Sequence, residues 1–402
     1  MKLIRENVVS NHLRCYLIVL ICSAGFGLLS PEIYRSQMVE ANRPRAKQVN
    51  WRLERTTGDK PSARGGGKMV AVGNQLVVLY GFLECFEKER CEHVYYDEIY
   101  VLDVTTGKWK KQNPRSATGA LPAKRVFFGA TTYAKKNKAV IYGGSEYSVK
   151  TLGTVKMYED MWEYDPLTNT MVQRTYQNAG PGPRLGPEIA ISGDTLYLFG
   201  GYDLGFKAHN DLWSYDLNSD TWKKLKHDDD PQSPSKRYIF RFEVGPTNQD
   251  LFIFGGNYRE TKTIQRNDLW RYNIPTNTFT EIISEKSTNI TGRTHGAAAI
   301  HKDQFVIALG DIPSGGCLTD QASEQQNPTK EVWSVRVAGD GPFKWQPVQI
   351  GTSPPALKRV IYATLNGRLY VTQGFDYRCD DPKAAGPVYN LETYSLPLNQ
   401  IR

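Results

Sequence analysis

One unit recurs along this chain, and its recurrence restricts the fold more than any other feature of the 402 residues. The clearest copy runs from Leu196 to Trp222. Leu196–Phe199 is a short apolar run ending in Gly200-Gly201, which suits a buried strand with a sharp exit. A polar loop follows, and Asp211-Leu212-Trp213-Ser214-Tyr215 alternates enough to predict another strand. Asp216 opens a turn, since its carboxylate can accept a hydrogen bond from an amide two residues on. Trp222 then anchors a last strand. Upstream, Arg184 and Ile189–Ile191 begin the unit, and Gly193-Asp194 signals a tight turn between its first two strands. The unit predicts four antiparallel strands.

Five other segments copy this plan. The glycine closing the second strand recurs at Gly81, Gly143, Gly200, Gly255, Gly310 and Gly374. Third strands follow from Asp97, Glu159, Asn210, Asn267 and Lys330, with a weak sixth from Tyr389. Large residues on the last strand are Trp109, Met171, Trp222, Phe279 and Trp345. An arginine opens each unit: Arg64, Arg125, Arg184, Arg237, Arg293 and Arg359. Four markers in constant order, at spacings of roughly fifty to sixty-five residues, predict an all-β ring of six blades. The sixth unit lacks its last strand because the sequence ends soon after Tyr394. Trp51 sits in a segment that matches the one carrying Trp222 into Arg237, so an N-terminal strand is expected to complete that blade and close the ring.

A glycine pair after a buried strand, a downstream aromatic, an Asp-led turn and a final Trp resemble kelch repeats. The resemblance covers roughly residues 49–402. It implies a six-bladed kelch-type β-propeller. Blade five departs from the pattern with Gly310-Asp311 and with Arg336 in the turn; blade six has Gly374-Phe375 and no Trp of its own.

Ahead of the repeats, Lys2, Arg5 and Arg14 precede the uncharged apolar run Tyr16–Leu29. Its length and flanks predict a signal peptide over residues 1–29, with a signal anchor as the rival reading and membrane contact only in that case. Residues 30–48 are polar, carry Pro31 and Pro44, and read as a linker. The ring is therefore expected to be secreted or on the cell surface. Cys85, Cys91, Cys317 and Cys379 each follow a second-strand glycine, which places them in loops on one face. For an exported chain this favours two disulfides, Cys85–Cys91 and Cys317–Cys379. Asn289-Ile290-Thr291 is a glycosylation sequon between blades four and five.

The formal net charge of +8 is a modest bias towards acidic partners. No basic run interleaved with aromatics points to nucleic acid. No metal, cofactor or catalytic set is legible. Arg64-Gly65-Gly66-Gly67-Lys68 lacks the phosphate-loop spacing, and a strand follows it. The six opening arginines have two readings. They could form a positive collar for a carboxylate, sulfate or acidic loop, or they could hydrogen-bond carbonyls of neighbouring loops and fix blade-to-blade geometry. His93 and His209 belong to the second-to-third-strand loops, His295 to an inner strand, and Asp228–Asp230 to a solvated connection. Among kelch-like enzymes, the copper and iron ligand patterns of galactose oxidase-like and plant specifier proteins are not legible here. A sugar epimerase or mutarotase remains as the alternative, with Glu188 and Arg184, or Arg241 and Glu243, as acid and base near the channel. No adaptor segment is legible beside the repeats. The expected function is a non-catalytic binding module that presents a loop face to a protein or glycan.

Overall fold

The computed structural model describes residues 48–84, 93–147, 155–205, 207–259, 263–313, 327–376 and 387–401. The leader, most of the linker and all four repeat-region cysteines lie outside them.

Six antiparallel sheets follow one another as the repeat predicts. Blade one stacks Lys68–Val72, Gln75–Leu79, Ile99–Asp103 and Lys108–Gln112 from the channel outwards. Blade two stacks Gly129–Tyr133, Lys138–Tyr142, Met161–Asp165 and Thr170–Gln173. Blade three uses Glu188–Ser192, Thr195–Phe199, Leu212–Asp216 and Thr221–Lys226, and blade four Arg241–Val244, Asp250–Phe254, Leu269–Asn273 and Thr278–Ile283. Blade five has Ala297–His301, Gln304–Ala308, Val332–Arg336 and a two-residue outer strand, Gln346–Pro347. Blade six has Ile361–Leu365, Arg368–Thr372 and Thr393–Pro397.

The ring closes where expected. Arg52–Leu53 pairs antiparallel with Thr393–Pro397, Leu53 opposite Tyr394, and becomes the outer strand of blade six. Trp51, 4% exposed, packs into the core shared by blades five and six with Val306, Leu369, Val371 and Leu396. Second strands such as Val77-Val78-Leu79 and Leu196–Phe199 are buried on both faces because each blade is sandwiched between two others.

Two features lay beyond the sequence reading. Thr57–Gly58 and Arg115–Ser116 add short parallel strands outside blades one and two. The second-to-third-strand loops are themselves ribbons: Phe82–Leu83 with Val94–Tyr95, Ser145–Tyr147 with Val155–Met157, Asn257–Arg259 with Thr263–Gln265, Asp311–Ile312 with Asn327–Pro328, and Phe375–Asp376 with Val388–Tyr389. They rise from the face that holds the inner-strand starts.

Candidate functional site

The repeat register locates the opening arginines on that face. An isolated bridge ties each opening turn to its ribbon: Gly65 to Phe82, Val126 to Ser145, Leu185 to Tyr202, Tyr238 to Asn257, Thr294 to Asp311 and Lys358 to Phe375. In five blades an arginine immediately precedes the bridged residue. In blade six that residue is Leu357, so the assignment of Arg359 to the same position is corrected. The basic pair Lys358-Arg359 sits at nearly the right spacing, but the backbone register displaces Arg359 two residues inwards.

The other five guanidinium groups are buried within their own blades. Arg125 grips Asp160 with two bonds of 2.6 and 2.9 Å, Arg184 grips Asp211 at 2.9 and 2.8 Å, and Arg237 grips Asp268 at 2.8 and 2.7 Å. Arg64 reaches Glu98 at 2.7 Å and Arg293 reaches Glu331 at 2.6 Å. The same arginines donate to the carbonyls of Tyr80, Gly143, Gly200 and Gly255, where second strands end. Indole Nε1 groups of Trp162, Trp213, Trp270 and Trp333 donate to the same carboxylates. Burial pushes the Asp268 carboxyl up, but the charge and hydrogen bonds of Arg237 outweigh it and hold the group below the ordinary carboxylate value. In blades one to four the clamp joins the inner turn, the second-strand exit and the third-strand start, whereas among the described residues Arg293 reaches only Glu331. The carbonyl bonds expected of these arginines are present in those four blades, but they lie within a blade and not between blades.

Two residues beyond each clamp position the chain turns into the left-handed region in all six blades: Gly66, Phe127, Gly186, Ile239, His295 and Arg359 have φ between 50° and 66°. Left-handed backbone costs a non-glycine residue about 1–2 kcal/mol, so the surroundings must enforce it. They do so by hydrogen bonds passed from blade to blade. The Phe127 amide donates to Gly66 O at 3.0 Å, the Gly186 amide to Phe127 O at 2.6 Å, and the Ile239 amide to Gly186 O at 3.0 Å. The Thr294 hydroxyl continues the chain by donating to Ile239 O. The result is a mouth lined by unlike residues. Arg359 lies over the rings of Phe82, Phe127 and Phe375, 5.2–5.7 Å from their centroids, and pairs with Glu84 of the blade-one ribbon. His295 contacts Asp311 at 3.3 Å, and Lys358 meets the same carboxylate at 3.3 Å. Burial pushes His295 down to about 4, so its ring is neutral at physiological pH.

Beneath the mouth, ionic contacts cross the channel. Lys68 Nζ of blade one donates to both oxygens of Glu188 of blade three, at 2.6 and 2.7 Å. Arg241 of blade four donates to the Tyr362 hydroxyl of blade six at 3.3 Å, and that hydroxyl donates to Glu243 at 3.2 Å. Burial pushes Glu243 up to about 7 and Tyr362 well up, and it lowers Lys68. Of the two acid–base pairs suggested by sequence, Arg241 and Glu243 meet here through Tyr362. Arg184 is held by Asp211 instead. Lys68, Glu188 and Arg241 each stand four residues after a clamp arginine, so the repeat alignment carried their common location; Lys68 and Tyr362 went unnoticed. The cavity between these groups and the mouth offers about 40 Å3 of accessible space and opens to solvent.

Other sequence candidates are dispersed. His209 is held between Asp203, 3.1 Å from Nε2, and Asp228, 2.7 Å from Nδ1. Its neighbour Asp211 lies within ligating distance of both His209 and Asp228, but its carboxylate already serves Arg184 and Trp213. Asn289 is exposed, and its amide donates to Trp345 O at 3.1 Å. The proposed disulfides Cys85–Cys91 and Cys317–Cys379 fall outside the described residues.

The ribbon face carries most of the exposed apolar surface. Among the described residues eight large hydrophobic side chains are exposed. Val94, Leu204, Ile264 and Val388 stand on the second-to-third-strand loops, Leu391 directly follows one, and Leu121 neighbours Asp97 and Glu98 at the head of a third strand. Only Leu53, on the closing strand, and Leu167, on the opposite face, lie elsewhere.

Comparison with known proteins gives the same pattern. A family model described as the KLHDC2/KLHL20/DRC7 Kelch-repeats domain matches residues 45–242, and one described as the Attractin/LZTR1 beta-propeller matches residues 196–345. The chain belongs to the kelch-repeat β-propeller family. It is similar to Kelch domain-containing protein 10 of Homo sapiens, 24% identical over 273 residues covering 63% of this chain and 58% of that protein. It is also similar to Acyl-CoA-binding domain-containing protein 4 of Arabidopsis thaliana, 24% identical over 296 residues (72% and 41%). The Leucine-zipper-like transcriptional regulator 1 homolog of Drosophila melanogaster is 22% identical over 344 residues (80% and 33%). The chain thus spans less than two thirds of each relative. A kelch propeller suggests a protein-interaction module, and among the described residues six of the eight exposed large hydrophobic side chains stand on or beside the ribbon face.

Proposed function

We propose that this protein is a protein-interaction module whose partner docks on the ribbon face, across the channel mouth. One observation carries the reading: among the described residues, six of the eight exposed large hydrophobic side chains stand on or beside that face, while the opposite face has Leu167. Apolar side chains concentrated on one surface mark an interaction site, whereas isolated ones are ordinary. The apolar run Tyr16–Leu29 supports an extracytosolic setting, and a glycan remains a second class of ligand for the same face. The carbohydrate-active alternative draws support from the channel cluster. Its roughly 40 Å3 of accessible space, however, falls below the roughly 300–1,000 Å3 of ordinary small-molecule sites.

The test is a pull-down from the extracellular fraction, run with a glycan array. Wild type, a Leu204→Ser/Ile264→Ser variant and a Leu167→Ser variant serve as baits. Proteins retained by wild type and Leu167→Ser but lost with the double variant support the reading. Equal retention by all three, or retention of glycans alone, refutes it.

A further inference from the structure

The cavity below the mouth has a chemistry that protein docking does not use. Its polar wall holds three cationic side chains, Lys68, Arg241 and Arg359, against one carboxylate, Glu188, with His295 and the Tyr362 hydroxyl. Phe127, Phe128, Ile239 and Val360 supply the apolar remainder. Lys68 is engaged by both oxygens of Glu188, and Arg359 is directed to Glu84 outside the cavity. Arg241 is served least well. Its side chain is 9% exposed, its hydrogen bond to a described residue is the 3.3 Å contact with Tyr362, and Glu188 stands off at 3.8 Å. A guanidinium has five N–H donors, so this buried cation keeps donors without a protein acceptor at the cavity wall.

We propose that the channel cavity binds one small monovalent anion of chloride size, held by the guanidinium of Arg241. The cavity offers about 40 Å3 to water-sized species, room for a small ion or a few waters. Low local dielectric strengthens the attraction between a buried guanidinium and an anion relative to water. Two carboxylates compete with the anion: Glu188, 3.8 Å from Arg241 and already engaged by Lys68, and Glu243, which faces Arg241, Tyr362, Glu188 and Lys68. Burial pushes Glu243 up to about 7, so near neutrality it exchanges between the protonated and ionised forms. Once it takes up a proton, Arg241 loses a counter-charge and an anion replaces it. Proton and anion therefore bind together, and linkage makes each favour the other. Anion affinity should fall about tenfold for each pH unit above the Glu243 pKa.

Melting of the full chain in sodium chloride and in sodium gluconate, at equal ionic strength and at pH 6 and 8, tests this. Chloride should raise Tm saturably at pH 6, with an apparent Kd about tenfold weaker at pH 8. Glu243→Gln, which fixes the neutral form, should hold the pH 6 affinity at pH 8. Arg241→Gln should abolish the chloride response; if that variant does not fold, the pH response of Glu243→Gln decides alone. Superimposed chloride and gluconate curves at both pH values overturn the proposal. So does a Glu243→Gln protein that keeps the wild-type pH dependence.

Discussion

The clamp position and the mouth position lie two residues apart in every blade and on the same face, yet they differ in almost every physical respect. At the clamp, five blades place the same buried arginine against an acid that opens the third strand, and in blades three and four the acid is buried as well. At the mouth, six blades share one backbone conformation but carry Gly, Phe, Gly, Ile, His and Arg. Repetition of a side chain here marks a scaffold contact shared by five of the six blades. Repetition of a conformation without its side chain marks a frame on which chemistry is free to vary. Blade six shows the boundary between the two, since Leu357 replaces the clamp arginine while Arg359 supplies the mouth with its charge.

Breaking the clamp should have the largest effect. Arg237→Ala leaves Asp268 charged and buried, and should cost about 3–5 kcal/mol in a urea titration. A midpoint close to wild type would remove the clamps from the scaffold. The channel cluster should give the next largest signal. Glu243 binds its proton more tightly folded than unfolded, so its contribution is full below its unfolded value and is lost as pH rises through about 7. The full excursion is about 3 kcal/mol. Glu243→Gln should flatten that fall between pH 5 and 8, and an unchanged slope would place the titrating group elsewhere. A smaller loss, of about 1–2 kcal/mol, is expected for Gly186→Ala at the mouth. There a Cβ in left-handed backbone would also approach Ile239 Cγ1 to 2.9 Å. A neutral result would show that the blade-to-blade chain of amide bonds does not hold this conformation tightly. Smallest of all, Leu167→Ser and Ile264→Ser should each shift stability by no more than about 0.5 kcal/mol, because both side chains already face solvent. A larger loss at Ile264 would make it a packing residue instead of a contact residue.

Blade number, strand order and N-terminal closure were legible because Gly-ended apolar runs and spaced Trp residues follow from burial and sharp exits, both local demands. The strands Thr57–Gly58 and Arg115–Ser116 were not, since two-residue polar segments have no periodicity to read. The scaffold reading of the arginines was available from residue type, and the acids that complete it, Glu98, Asp160, Asp211, Asp268 and Glu331, also recur at one register position. Arg359 was misplaced because spacing alone cannot detect a two-residue displacement of backbone register. Three of the five members of the channel cluster were named, Glu188, Arg241 and Glu243. Lys68 and Tyr362 come from blades far apart in sequence and meet the others only when the ring closes.

The most direct test of the ribbon face as the docking surface works without the partner's identity. A photo-reactive benzoylphenylalanine is placed at position 264 or at position 167 in protein made by its native source, and covalent adducts are counted after irradiation. Adducts from position 264, with none above background from position 167, are expected. Equal yields from both positions, or adducts from 167 alone, would contradict the assignment of the ribbon face.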